Sequence, residues 1–139
     1  MKTILAFCIV VLGFSNAYSQ STESTDPNEV YTVVQSQPVF NGKINTYLSD
    51  NIKYPEDARK GNIQGTVYVQ FIIERDGSVS SVKVLRGVEG GRSLENEAVR
   101  VVSAMPVWTP GMQNGHPVRV QYMVPIHFML ADNNIPSGK

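Results

Sequence analysis

From Val118 to Phe128 every second residue is apolar or aromatic: Val118, Val120, Tyr122, Val124, Ile126 and Phe128. Arg119, Gln121, Met123 and His127 fall between them. A period of two sustained over this length is the spacing of a β-strand with one buried face, and a helix cannot satisfy it. The strand, read from Pro117 to about Met129, also contains Pro125, which has no N–H to give to a ladder. Proline is tolerated where one side of a strand is unpaired, so this strand is placed at a sheet edge. A chain carrying such a strand must also supply a central neighbour and a cover for the apolar face.

Gly65 to Glu74 supplies the neighbour. Val67, Val69, Phe71 and Ile73 alternate with Thr66, Tyr68 and Gln70, while Ile72 adds an apolar residue to the polar side. Arg75-Asp76-Gly77-Ser78 is a hairpin signal, because Asp-Gly tolerates positive φ, and Ser78 to Leu85 is the return strand. The cover comes from helices. Leu94, Ala98, Val101, Val102 and Met105 make an apolar stripe, with Ser93 as its expected cap and Pro106 as its stop. Ile44, Tyr47, Leu48 and Ile52 make a shorter stripe that ends at Tyr54-Pro55. Pro55 opens a second short turn, with Glu56 and Asp57 at its start and Gly61 closing it. The expected fold is α+β, with helices packed on one face of a three-stranded antiparallel sheet.

The first residues are read as an export signal. Met1-Lys2 is a positive start, Ile4 to Phe14 is apolar, and small residues precede Ala17 and Ser19. The run from Thr3 to Ala17 is about 15 residues, shorter than the roughly 20 that a spanning helix needs. Cleavage of 1–19 removes Cys8, the sole cysteine, and Lys2, leaving 11 basic against 12 acidic groups. A cysteine-free exported chain fits the periplasm; the alternative is an uncleaved inner-membrane anchor facing the same space. Near-neutral charge argues against a nucleic-acid partner. Residues 20–38 read as a flexible lead-in with a short extended piece at Tyr31–Val34, 39–130 as the folded domain and 131–139 as a tail.

No catalytic set emerges. His116 and His127 have no ligand spacing between them, no Ser sits in a nucleophile motif, and Glu56-Asp57 are consecutive and cannot face one another on a helix. The expectation is a binding module, not an enzyme, with no catalytic residue, cofactor or metal. The one feature with binding chemistry is the edge strand, whose free N–H and C=O groups can accept an extended peptide. The alternatives are that Pro125 blunts this edge or that Tyr31–Val34 covers it.

The run YPEDARKGNIQGTVYVQFIIERDGSVSSVKVLRG followed by SLENEAVRVVSAMPVWTPGMQNGHPVRVQYMVPIHF resembles the C-terminal domain of TonB, in the form found in Bacteroidetes. Tyr54-Pro55, Gly61, Gly65, Asp76-Gly77, Glu97-Ala98, Met105-Pro106, Trp108-Thr109-Pro110-Gly111, Asn114-Gly115 and Phe128 carry the likeness in order. It extends over residues 39–128. The resemblance implies a periplasmic module that takes the N-terminal TonB-box segment of outer-membrane TonB-dependent transporters as an added strand, supporting energy-coupled transport. By position, the docking strand is Pro117, Val118, Arg119, Val120, Gln121, Tyr122, Met123 and Val124, with Tyr54 and Pro55 close by.

The short, cleavable start departs from a full transducer, which has a membrane helix and a long linker. Contact with an inner-membrane proton-motive complex is therefore a secondary partner expectation. A structural, assembly or modulatory component of an envelope complex is the alternative function. The exposed edge also permits a weak edge-paired homodimer beside the monomer.

Overall fold

The computed structural model describes residues 26–130; the reading of 1–19 as a signal and of 131–139 as a tail falls outside them. The elements in order are β1 (Val30–Tyr31), α1 (Ile44–Asn51), α2 (Glu56–Lys60), β2 (Gly65–Ile73), β3 (Val79–Arg86), α3 (Arg92–Ser103), β4 (Gly111–Gln113) and β5 (His116–Phe128). The α+β class holds, but the sheet is neither three-stranded nor wholly antiparallel. Its order is β1-β5-β2-β3, with β4 pairing β5 off that path. β1 runs parallel to β5, with Val30 opposite Arg119 and Tyr31 opposite Val120.

β2 is the interior strand. It pairs antiparallel with β5 from Gly65↔Phe128 to Ile73↔Val120 and with β3 on its other side. Val67, Val69, Phe71 and Ile73 are buried on the helix-covered face, together with Val124, Ile126 and Phe128 of β5. The α3 stripe of Leu94, Ala98, Val101, Val102 and Met105 closes this core. The opposite face, with Gln70, Ile72, Met123 and His127, has no layer over it among the described residues. Alternation thus placed each side chain of β2 and β5 correctly, because only one face of the sheet is covered.

β3 is less regular. Between Gln70↔Lys83 and Ile72↔Ser80 the register slips, and Ser81 there has φ of 50°. A second slip between Tyr68 and Val69 leaves Leu85 50% exposed. Extra residues in one strand bend it and increase its twist.

One expected helix end differs and one holds. Gly91, not Ser93, occupies the N-cap position of α3, and it makes no side-chain cap. Ser93 lies inside the first turn, with its hydroxyl buried and without a hydrogen-bond partner. α2 closes at Gly61 as expected, with Gly61 its C-cap at φ of −82° and its N–H donating to Asp57 O at 2.9 Å. The left-handed position is Asn62, with φ of 51°. The Asn62 N–H donates to Arg59 O at 3.1 Å and the Ile63 N–H to Ala58 O at 2.8 Å, which is a Schellman closure with asparagine in the usual glycine place.

The β2–β3 turn is docked rather than free. Gly77 has φ of 85°, and its carbonyl accepts from the Trp108 N–H at 2.8 Å. Trp108 is buried against Phe40, Phe71 and Tyr122, with ring centroids 5.2, 5.8 and 5.1 Å away. The described part of the lead-in and the residue that follows it are also laced down: Ser36 bridges Met112 and Val39 bridges Thr109.

Candidate partner-binding edge

β5 is longer than any single neighbour, and this decides which of its backbone groups remain available. Its side toward β2 is paired from Val120 to Phe128. At its start, Val118, Pro117 and His116 pair with Gly111, Met112 and Gln113, closed by a two-residue turn at Asn114-Gly115 with φ of 51° and 76°. Arg119 and Val120 then pair with β1. Val120 therefore has a strand on both sides, Ile73 on one and Tyr31 on the other. Beyond Val120 no strand lies on the outer side of β5 among the described residues.

The proposed docking run Pro117–Val124 is thus divided. Pro117, Val118, Arg119 and Val120 face partners from the chain itself, and Gln121, Tyr122, Met123 and Val124 belong to the stretch with an open outer side. Gln121 and Met123 are exposed, Tyr122 is half-buried and Val124 is buried. Pro125 lies in the open stretch, where its missing N–H costs the sheet nothing on that side. β5 is therefore not the edge strand expected from the sequence, because β1 pairs with it at Arg119 and Val120 and only the stretch beyond Val120 keeps an open outer side.

Tyr54 and Pro55 sit at the other end. The Tyr54 ring meets Phe128 edge-on at 5.8 Å, its hydroxyl donates to the Ile63 carbonyl, and the Arg59 guanidinium lies 5.9 Å from the ring centre. Burial pushes the Tyr54 phenol up from its ordinary value, with Arg59 acting in the opposite direction. The structure therefore does not bring Tyr54-Pro55 together with Pro117–Val120. A strand laid along Gln121–Phe128 spans about 23 Å and would finish beside Tyr54.

The electrostatic centre of the edge is a pair that the sequence alone did not single out. Arg119 grips Glu74 with two donors, Nε to Oε2 at 2.8 Å and Nη2 to Oε1 at 3.1 Å. Ser80 Oγ donates to the same carboxylate at 2.5 Å. These bonds, Arg119 first, hold the Glu74 carboxyl below its ordinary value. The third Arg119 nitrogen, Nη1, donates to Asn28 O at 2.8 Å, and Arg75 donates to Pro27 O. The signal for Glu74–Arg119 exists only once the register is known, since Ile73↔Val120 makes them the next cross-strand pair.

Below this crossing lies an open cleft of about 620 Å³ lined by Glu29, Tyr31, Arg75, His116 and Arg119 among others. Among the described residues no group of three His, Cys, Asp or Glu side chains could hold a metal ion, and no helix is long and apolar enough to cross a membrane.

The family model described as Gram-negative bacterial TonB protein C-terminal matches residues 50–130. The chain is similar to two NMR structures of the Helicobacter pylori TonB C-terminal domain. One, of residues 179–285, is 27% identical with a TM-score of 0.48, covering 66% of this chain and 80% of that one. The other, of residues 194–285, is 27% identical with a TM-score of 0.46, covering 62% of this chain and 88% of that one. No curated protein matches.

Proposed function

The chain belongs to the TonB C-terminal family, and from that premise we propose that it is an exported periplasmic module that binds outer-membrane transporters by β-strand addition. The family's domain is periplasmic and non-enzymatic, and in TonB proteins it takes part in interaction with such transporters. The observation that carries the finer reading is the outer side of β5 from Gln121 onward, where backbone donors and acceptors face no strand among the described residues. An extended segment, such as a transporter's TonB box, adds there through main-chain hydrogen bonds, which need no particular charge on the partner. Gln121 and Met123 meet its side chains on the open face, and Tyr54-Pro55 meets its far end.

The experiment is a titration of the 15N-labelled chain with a synthetic transporter N-terminal peptide. Amide signals of Gln121 to Val124 shift if the edge takes a strand; no shift at millimolar peptide refutes the reading. A co-purifying envelope partner without such a segment would favour an assembly or modulatory role instead. Export with cleavage after Ala17 or Ser19 predicts a mature chain starting at Tyr18 or Gln20, read directly by mass spectrometry.

A further inference from the structure

β1 occupies the same edge that the proposed partner would use, and three observations bear on what it does there. The pairing is short, two residues of β1 against Arg119 and Val120. It is fastened at its start by Arg119 Nη1 on Asn28 O and by Arg75 on Pro27 O. It is also separable from the rest of the lead-in. Thr32 and Val33 are exposed bends, Val33 at 78%, whereas Val34 just after them is buried. The exposed bend at Thr32-Val33 thus separates residues 26–31 from the buried Val34.

Both fastening arginines donate to main-chain carbonyls of the strap. Such acceptors are common to every extended peptide, so the Arg119 guanidinium on β5 can pass from one strand to another, while Arg75 grips the strap alone. Arg119 is held in position by Glu74 through Nε and Nη2, bonds that do not involve the strap, and Nη1 is the nitrogen that reaches Asn28 O.

We infer that residues 26–31 are a built-in competitor for the β5 edge, closed over Arg119 and Val120 in the free protein and displaced when a partner strand extends past Gln121 toward Pro117. The inference rests on the docking reading above. It divides the edge into two parts, Gln121–Val124 open from the start and Pro117–Val120 reached only by exchange. Apparent affinity is then reduced by the fraction of molecules in the open form, so a tenfold excess of closed over open weakens binding about tenfold.

The test uses the exported chain and variants that leave β5 untouched. Val30→Pro/Tyr31→Pro removes both strap N–H groups, and Arg75→Ala removes the grip on Pro27 O. Kd for the transporter peptide is measured by calorimetry, beside amide exchange of Arg119 and Val120 in the free protein. The double variant should bind about tenfold tighter and exchange faster at these two amides, and Arg75→Ala should move both in the same direction by less. An unchanged Kd in both variants, with peptide shifts still present at Gln121–Val124, overturns the competitor and leaves the docking reading standing. A weakened Kd overturns it too, because the strap would then be part of the site. Absence of any peptide shift in all chains overturns the docking reading, and the competitor falls with it.

Discussion

Gly77→Ala, set against Gly115→Ala, separates backbone strain from steric conflict in the same molecule. Both glycines sit in hairpin turns at similar positive φ, 85° and 76°. An L-residue in that region costs about 1–2 kcal/mol, and this component is common to the two. The surroundings differ. A Cβ at Gly115 meets nothing within 4 Å, whereas at Gly77 it would drive into the Trp108 carbonyl oxygen and lie 2.8 Å from Val107 Cγ1. Backbone cannot rotate away as a side chain can, so the Trp108 N–H bond to Gly77 O, 2.8 Å long, is lost at about 0.5–1.5 kcal/mol. Trp108 must then shift against Phe40, Phe71 and Tyr122, and aromatic pairs are worth about 0.5–1.5 kcal/mol each. The expected costs are about 3–5 kcal/mol for Gly77→Ala and 1–2 for Gly115→Ala. Urea unfolding followed by fluorescence suits the comparison, because Trp108 is the only tryptophan and sits at the point of conflict. Equal losses in the two variants would refute the docked-turn argument and leave φ as the whole explanation.

Ser93→Ala should be neutral or stabilising in the same assay, since Ser93 Oγ is buried without a partner and a lone buried hydroxyl is a cost; a loss of about 1 kcal/mol, the usual value of a helix cap, would contradict the structure. The Glu74 carboxyl, held below its ordinary value of 4.5 chiefly by Arg119, adds stability that is fully present above 4.5 and lost as pH falls through the lower folded-state value. Glu74→Gln should therefore narrow the stability gap between neutral and acid pH, as read by thermal unfolding across that range, and an unchanged pH profile would remove the pair from the account.

The parts of the fold legible in the sequence are those with a period. β2 and β5 each repeat every two residues and α3 repeats its helical stripe, so their buried faces and the central place of β2 followed from Val67–Ile73, Val118–Phe128 and Leu94–Met105. β1 and β4 have two and three residues, too few to carry a period, and their pairing depends on where distant chain segments come to rest. The parallel strand Val30–Tyr31 is therefore not legible as a strand, although Tyr31–Val34 reads as an extended segment able to cover the edge. At the candidate site, Pro125 marked the open side of β5, but the grip of Arg119 on Asn28 joins residues separated by 91 positions and leaves no local trace. Ser93 shows the limit of capping rules: the residue type is suitable, but Gly91 holds the N-cap because the chain enters the helix two residues earlier, whereas Gly61 closes α2 as its sequence position suggests.

The pairing of β2 also fixes a sequence of events in time. β2 and β3 are joined by the short turn around Gly77, so that hairpin can close within microseconds. β5 reaches β2 only after α3 and the Trp108 segment have been traversed, with Gly65 waiting for Phe128. Non-local ladders of this kind form late, because loop entropy is lost before their bonds are gained. Until β5 arrives the bare strand edge would belong to β2, whose Val67, Val69, Phe71 and Ile73 are buried only in the finished fold. A chain that offers a mild, proline-marked edge when finished thus passes through a stage with a far less guarded one. The speed with which β5 arrives decides how much of it survives to be useful.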